Sequence, residues 1–233
     1  MLSENKPSLR QVNWITYSDN MDLKTDANYV FKVDVEKYYN LINADYSNLL
    51  SPDEIAKADC FKQDADKRRF ISGRYFIRYI ISKRFHQVPA DIVLKYTKFN
   101  KPFLPGIEFN ITHSGNYLLV AISNNPIGID IEFIDDTFDY KVMLHDIFNA
   151  NEIAYVKNNQ ANTLNFYTLW TRKEALLKAT GEGLIDDLKK VNCLDNVVER
   201  QQSRYILTSF TIDNYMAGLA STANSNLIFL NYN

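Results

Sequence analysis

The sequence predicts an α+β protein made of two halves, each with several strands and one long helix. Two segments repeat apolar residues at helical spacing, residues 64–85 and about residues 164–180. Short runs rich in apolar and β-branched residues lie between these helices and after the second one, as expected for strands. The polar turn "SNNP", residues 123–126, separates the two sets and is the expected join.

The first long helix has an apolar side and a basic side. The apolar side comprises Phe70, Ile77, Ile80, Ile81 and Phe85. Three basic residues at i, i+7 and i+11 share another side: Lys67, Arg74 and Arg78. We interpret this basic side as solvated, because a charged helix face usually contacts water.

Strands are predicted on both sides of the join. "DIVLKYTKFNKPFL" alternates like a strand and then turns at Asn-Lys-Pro, and "IEFNITHSGNYLLVAIS" reads as two strands around a polar turn. In "IGIDIEFI" the alternation places three isoleucines on one face and Gly128, Asp130 and Glu132 on the other. Two neighbouring carboxylates need a cation or open solvent to offset their charge. The alternation leaves both open, and solvent is the commoner case.

The second long helix, "LNFYTLWTRKEALLKAT", is followed by the stop signals Gly181 and Gly183. Its predicted buried side comprises Phe166, Leu169, Trp170, Leu176 and Leu177. Glu174 and Lys178 are four residues apart and are expected to share a face, as in an ordinary helix ion pair. The tail, from "SRYILTSF" to "NLIFLNYN", reads as further strands.

Composition and charge narrow the class of protein. The hydrophobic fraction of 46% in 233 residues indicates a folded globular chain, and the net charge of −2 gives no general reason to bind nucleic acid or an anionic membrane. Cys60 and Cys193 are too few for a disulfide framework. The amino terminus lacks the apolar core of a signal peptide, and no apolar run approaches the roughly 20 residues of a membrane span. We therefore expect a soluble cytoplasmic protein.

Several catalytic motifs are absent from the sequence. The chain has no phosphate loop of the G-x-x-x-x-G-K-[ST] type, no G-x-G-x-x-G after a strand, no H-E-x-x-H and no G-x-S-x-G. Asp130, Glu132 and a helix carboxylate such as Glu174 would form an all-oxygen set that suits Mg²⁺. Spacing alone does not choose between this metal site and solvated carboxylates.

Three motifs that follow one another along the chain indicate a protein family more specifically than any one of them does. "FNITHS", "GIDIE" and "WTRKEALLKATGEGL" closely resemble the 4′-phosphopantetheinyl transferases of the surfactin-synthetase-activating (Sfp-like) type. The resemblance includes "SGRYFIR" in the first helix and the Lys101-Pro102 turn, and it covers about residues 51–184. It implies a transferase of two similar halves in a pseudo-twofold arrangement, here residues 1–123 and 124–233, with the active site between them.

The resemblance also implies the reaction and its residues. Such enzymes transfer the 4′-phosphopantetheine arm of coenzyme A to a serine of an apo acyl, peptidyl or aryl carrier protein. They use Mg²⁺ and release adenosine 3′,5′-bisphosphate. The implied metal ligands are Asp130, Glu132 and Glu174. Glu174 is also the favoured base, with Lys178 as a catalytic residue that contacts a phosphate. The implied coenzyme A contacts are Lys57, Arg69, Lys101, Thr112, His113, Asp130 and Lys178.

The sequence departs from the family pattern at three positions. Asn100 replaces a common glycine, Thr112 replaces a serine, and Glu54 stands where some relatives carry a basic residue. The alternative functions are another Mg²⁺-dependent transferase of nucleotide diphosphates, a carrier-binding module without turnover, and nucleic-acid binding through Lys67, Arg74 and Arg78. We expect a monomer that binds coenzyme A and an apo carrier protein, with residues 134–148 as the carrier contact, and no nucleic acid or membrane.

Overall fold

The computed structural model describes residues 7–98, 101–158, 161–183, 187–222 and 226–232. The turn residue Asn100 lies outside these ranges. The described α-helices are α1 (Val35–Ile42), α2 (Tyr46–Leu49), α3 (Pro52–Asp59), α4 (Asp64–Phe85), α5 (Leu144–Ile147), α6 (Ala150–Lys157) and α7 (Asn162–Thr180). The described strands are β1 (Ile15–Thr16), β2 (Asn28–Asp34), β3 (Lys95–Tyr96), β4 (Pro102–Phe103), β5 (Glu108–Ser114), β6 (Tyr117–Ser123), β7 (Ile127–Phe133), β8 (Val197–Arg200), β9 (Ser203–Ile212), β10 (Tyr215–Ser221) and β11 (Leu227–Tyr232). The predicted α+β class is confirmed.

The chain forms two compact units that exchange their end segments. Residues 13–124 and strand β11 form the amino-terminal unit, and residues 125–222 with residues 7–12 form the carboxy-terminal unit. Strand β11 belongs to the amino-terminal unit because it pairs in parallel with β2. Residues 7–12 belong to the carboxy-terminal unit, where Arg10 donates its backbone N–H to the Ser209 carbonyl, 2.7 Å away. The sequence prediction placed residues 7–12 in the amino-terminal half and β11 in the carboxy-terminal half. In the structure each of these segments belongs to the other unit.

The amino-terminal unit has a mixed five-stranded sheet covered by α4. The strand order is β1-β11-β2-β6-β5, with parallel pairs at β1–β11 and β11–β2 and antiparallel pairs elsewhere. Helix α4 has the predicted bounds, and its residues Phe76, Ile77 and Ile80 belong to the same buried core as Phe31 of β2. Strands β3 and β4 pair separately as a short hairpin.

The interpretation of the basic side of α4 as solvated is wrong for Arg74 and Arg78, which are both buried. The Arg78 guanidinium lies 2.8 Å from the carboxylate of the buried Glu54 on α3, and Arg74 lies 3.6 Å from it. Glu54 also accepts the Tyr96 hydroxyl at 3.1 Å and closes the capping box with Ser51. The arginines can be buried because both pair with this carboxylate, which is 20 or more residues away in sequence.

The carboxy-terminal unit has an antiparallel sheet, in the order β7-β10-β9-β8, on which α7 packs. Two glycines allow the helix backbone to approach the strands. A Cβ on Gly128 of β7 would lie 2.1 Å from the Ala175 carbonyl oxygen, and a Cβ on Gly218 of β10 would lie 2.4 Å from the Thr171 carbonyl oxygen. The close approach brings the side chains of β7 and α7 together.

No helix in the described ranges is long and apolar enough to cross a membrane.

Candidate active site

The acidic face of β7 points toward α7, as the alternation predicted. Gly128 contacts the α7 backbone, and two residues further Asp130 meets the side chain of Lys178. Another two residues further, Glu132 accepts a hydrogen bond from the Trp170 side chain of the same helix. One helix therefore borders the whole acidic face, and Asp130 is 4% exposed, which excludes simple solvation of its carboxylate.

Lys178 forms its ion pair across the helix–strand boundary. Its Nζ lies 2.5 Å from Asp130 Oδ1, with the lysine side chain 28% exposed. This contact goes beyond the pairing with Glu174 on the same helix that an isolated helix would predict. Lys178 is thus a cation held at the carboxylates and still accessible to a ligand.

The carboxylates repel one another. Burial, with the charge of Asp130, raises the pKa of Glu132 to about 7, although the Trp170 hydrogen bond opposes this shift. Burial, again with Asp130, raises the pKa of Glu174, and Lys178 lowers it in part. Because each glutamate is affected by Asp130, the three groups form one electrostatic cluster, whose negative charge Lys178 offsets in part.

The donor chemistry of this cluster fits Mg²⁺. Carboxylate oxygens are the ligands that hard divalent ions prefer, and a cation would offset the burial and the repulsion that together raise both glutamate pKa values. In the described part of the chain, no group of three or more acidic, histidine or cysteine side chains is arranged so that it could hold a metal ion. A site completed by substrate phosphates is consistent with both facts, since Mg²⁺ typically binds one or two carboxylates together with phosphate oxygens.

Three of the predicted coenzyme A contacts lie close together in the amino-terminal unit. Thr112 and His113 are in β5, at the end that turns into β6, and Thr112 is buried while His113 is exposed. Arg69 of α4 donates a hydrogen bond from Nη1 to the Gly115 carbonyl of that turn at 3.2 Å, and its Nη2 lies 2.5 Å from Asp66. The arginine therefore ties the helix to the turn that carries His113.

Lys57 and Lys101 lie on other elements of the same unit. The Lys57 Nζ is 5.5 Å from the centre of the Phe70 ring, and the Arg74 guanidinium contacts the same ring at 5.0 Å. Lys101 lies between β3 and β4, where its backbone N–H donates to the Thr97 hydroxyl at 3.2 Å. Both lysines belong to the unit that contains the Arg69 turn.

Some residues that support the site were missed from the sequence. Lys173, in the middle of the "WTRKEALLK" motif, is fully buried and pairs with the equally buried Glu152 of α6 at 2.9 Å. Its Nζ also donates to the carbonyls of Leu188 and Val191. The pattern Asn149-x-x-Glu152 at the start of α6 was a readable capping signal, but nothing in it indicated the lysine partner.

Comparisons with known proteins agree with this geometry. Residues 126–221 match the family described as the 4′-phosphopantetheinyl transferase superfamily, and residues 43–125 match the one described as 4′-phosphopantetheinyl transferase, N-terminal. The chain is 30% identical to the 4′-phosphopantetheinyl transferase HetI of Nostoc sp. over 75% of this chain and 77% of HetI. The chain belongs to the 4′-phosphopantetheinyl transferase family.

Two further relatives show comparable identity over shorter parts of the chain. Identity to the 4′-phosphopantetheinyl transferase Sfp of Bacillus subtilis is 30%, over 61% of this chain and 65% of that protein. Identity to the 4′-phosphopantetheinyl transferase gsp of Aneurinibacillus migulanus is 34%, over 51% of each chain. The predicted Sfp-like transferase family and the predicted enzyme class are thus confirmed.

Proposed function

We propose that this transferase moves the 4′-phosphopantetheine arm of coenzyme A to a serine of an apo carrier protein and releases adenosine 3′,5′-bisphosphate. The observation that carries the proposal is the cluster of Asp130, Glu132, Glu174 and Lys178, which two elements of one unit bring together. Family membership supports this reaction over a different nucleotide-diphosphate transferase and over the non-enzymatic alternative, a carrier-binding module without turnover.

In this proposal Asp130, Glu132 and Glu174 hold the Mg²⁺, which supplies neutralising charge to the diphosphate of coenzyme A. Lys178 contributes a fixed cation beside the same phosphates, where charge develops during transfer. Thr112 and His113 contact the phosphates of coenzyme A, and Lys57, Arg69 and Lys101 lie around its adenosine end. That these residues of one unit and the carboxylates of the other serve one substrate is part of the proposal.

The chemical step is a displacement at phosphorus. The serine oxygen forms a bond to the phosphorus that carries the pantetheine arm, and the bond from that phosphorus to the bridging oxygen breaks. The bridging oxygen leaves with adenosine 3′,5′-bisphosphate. Glu174 accepts the serine proton as general base.

The proposal is tested with purified protein, coenzyme A, Mg²⁺ and a panel of apo carrier proteins, read by intact mass. We expect one phosphopantetheine per carrier, and a loss of rate of roughly 10²-fold or more in Glu174→Gln, the usual scale for a positioned acid–base group. The matched control is Glu199→Gln, an exposed glutamate of β8. If every carrier stays unmodified at high enzyme concentration, the proposed reaction is wrong. A native mass measurement of the same sample tests the expectation of a monomer.

A further inference from the structure

The surface that follows Glu132 along the chain is apolar and acidic. Phe133, Phe138 and Val142 are 46%, 42% and 73% exposed, which is unusual for three large apolar side chains within ten residues. Residues 133–146 also contain four aspartates and one lysine. We call the exposed part of residues 133–146 the acidic apolar surface.

Aromatic contacts connect this surface to the carboxylate cluster. The Phe138 ring lies 6.2 Å from Phe166 of α7, and Phe166 is stacked on Trp170 at 6.5 Å with 6° between the ring planes. Trp170 in turn hydrogen-bonds Glu132. A partner bound to the acidic apolar surface would therefore lie within a few side chains of the proposed centre.

One carboxylate of this surface, that of Asp135, is stabilised in its charged form by hydrogen bonds. The side chain and backbone N–H of Thr137 both donate to the Asp135 carboxylate, at 2.6 and 2.8 Å, and these bonds lower the pKa of Asp135. Asp136 and Asp139 are exposed to solvent beside the exposed Phe138. A partner with its own acidic face would be repelled, whereas one with apolar and basic side chains would be complementary.

We propose that the acidic apolar surface selects apo carrier proteins whose serine is flanked by apolar and basic side chains over carriers with an acidic face. This inference rests on the proposed function, because only that function requires a carrier serine to approach Glu174. Opposite charges across an interface accelerate encounter and discriminate between partners, so the selection should act on kcat/KM and should weaken with salt.

The test uses one apo carrier that the enzyme modifies and two variants of it, with exposed residues around the serine changed to lysine or to glutamate. We expect kcat/KM to be about tenfold or more higher for the lysine variant at low salt, within the range of electrostatic steering. High salt should reduce this difference. Equal rates, or a preference for the glutamate variant, would overturn the proposal, whereas no modification of any carrier would refute the proposed function itself.

Variants of the enzyme test whether the acidic apolar surface is responsible for the selection between carriers. Asp136→Lys combined with Asp139→Asn should abolish or reverse the preference and leave kcat at saturating carrier unchanged. The control, Asp91→Lys combined with Asp22→Asn, changes the net charge equally at exposed positions of the amino-terminal unit. Val142→Ser should raise the KM for every carrier, whereas Val93→Ser, at a position 70% exposed, should not. If the two charge variants behave alike, the acidic apolar surface does not select the carrier.

Discussion

Replacing Gly128 by alanine should separate α7 from β7 and so damage both stability and activity. The added Cβ would lie 2.1 Å from the Ala175 carbonyl oxygen and 2.4 Å from the Ala179 nitrogen. Both are backbone atoms of α7, so no side-chain rotation can relieve the contact. Since ordinary contact begins at 3.4 Å, the helix must move away by 3.4 − 2.1, or about 1.3 Å.

That displacement has two measurable consequences. Overpacking a well-packed core costs typically about 1–3 kcal/mol, and for a chain of this size each kcal/mol lowers the melting temperature by about 2–4 °C. The same movement carries Lys178 and Glu174 away from Asp130. A misplacement of about 1 Å can reduce catalysis by about 10²-fold.

The assay compares melting temperature and transfer rate in Gly128→Ala and Gly73→Ala. A Cβ on Gly73 of α4 would meet its nearest neighbour, a methyl group of Ile111, at 3.4 Å, so it fits. Because alanine is favoured over glycine inside a helix by about 1 kcal/mol, Gly73→Ala should be neutral or stabilising. Equal melting temperatures in the two variants would refute the claim that Gly128 sets the helix–strand distance.

Three further predictions concern the charged groups of the carboxy-terminal unit. Since the pKa of Glu132 is raised to about 7, the protonated form of its carboxyl stabilises the fold. This contribution is complete below about pH 4.5 and is lost as the pH rises through 7. The melting temperature measured in chelator should therefore fall across this pH range in the wild type, and this part of the fall should be absent in Glu132→Gln. Lys173→Met should cost about 3–5 kcal/mol, because it leaves Glu152 buried and unpaired, whereas Lys190→Met, at an exposed ion pair, should cost about 0–1 kcal/mol. Asp130→Ala should abolish the rise in melting temperature that Mg²⁺ with coenzyme A gives the wild-type protein.

Each of these has a contrary result. A chelator melt of Glu132→Gln that follows the wild type at every pH would show that this carboxylate titrates normally. Equal costs for the two lysine variants would mean that the Glu152 pair is as weak as a surface pair. An unchanged ligand-induced shift in Asp130→Ala would remove that residue from the metal site.

Local patterns predicted the elements but not their distant partners. The spacing of apolar residues gave α4 its observed bounds, and alternation in β7 correctly placed Asp130 and Glu132 on one face. The burial of Arg78 was not predictable in this way, because it depends on Glu54 in another helix. Nor was the parallel pairing of β11 with β2, which joins residues about 200 positions apart.

The candidate site was predicted for a different reason. Spacing alone favoured solvent over a metal ion for Asp130 and Glu132, and it offered Lys178 an ordinary partner in Glu174. The order of three motifs, through their family resemblance, was what grouped the strand carboxylates with one particular helix. The structure adds the physical cause of the grouping, since Gly128 and Gly218 let the α7 backbone lie against the sheet.

The motif on α7 places four charged residues close together, and the fold gives them two kinds of role. Arg172 is fully buried, and it donates to the carbonyls of Cys193 and Asp195 at 2.8 and 2.6 Å. Lys173 is equally buried and is neutralised by Glu152. Both cations are therefore occupied by the protein itself and cannot meet a diphosphate.

Glu174 and Lys178 have the opposite environment. Lys178 is partly exposed, and burial together with the charge of Asp130 raises the pKa of Glu174. Burial of Arg172 and Lys173 holds the rotation of α7 about its axis, because their partners lie in the segment 188–196 and on α6. With that rotation held, Lys178 faces Asp130 on β7. In the proposed mechanism, Glu174 and Lys178 thus carry the chemistry of the motif, and the buried Arg172 and Lys173 orient that pair.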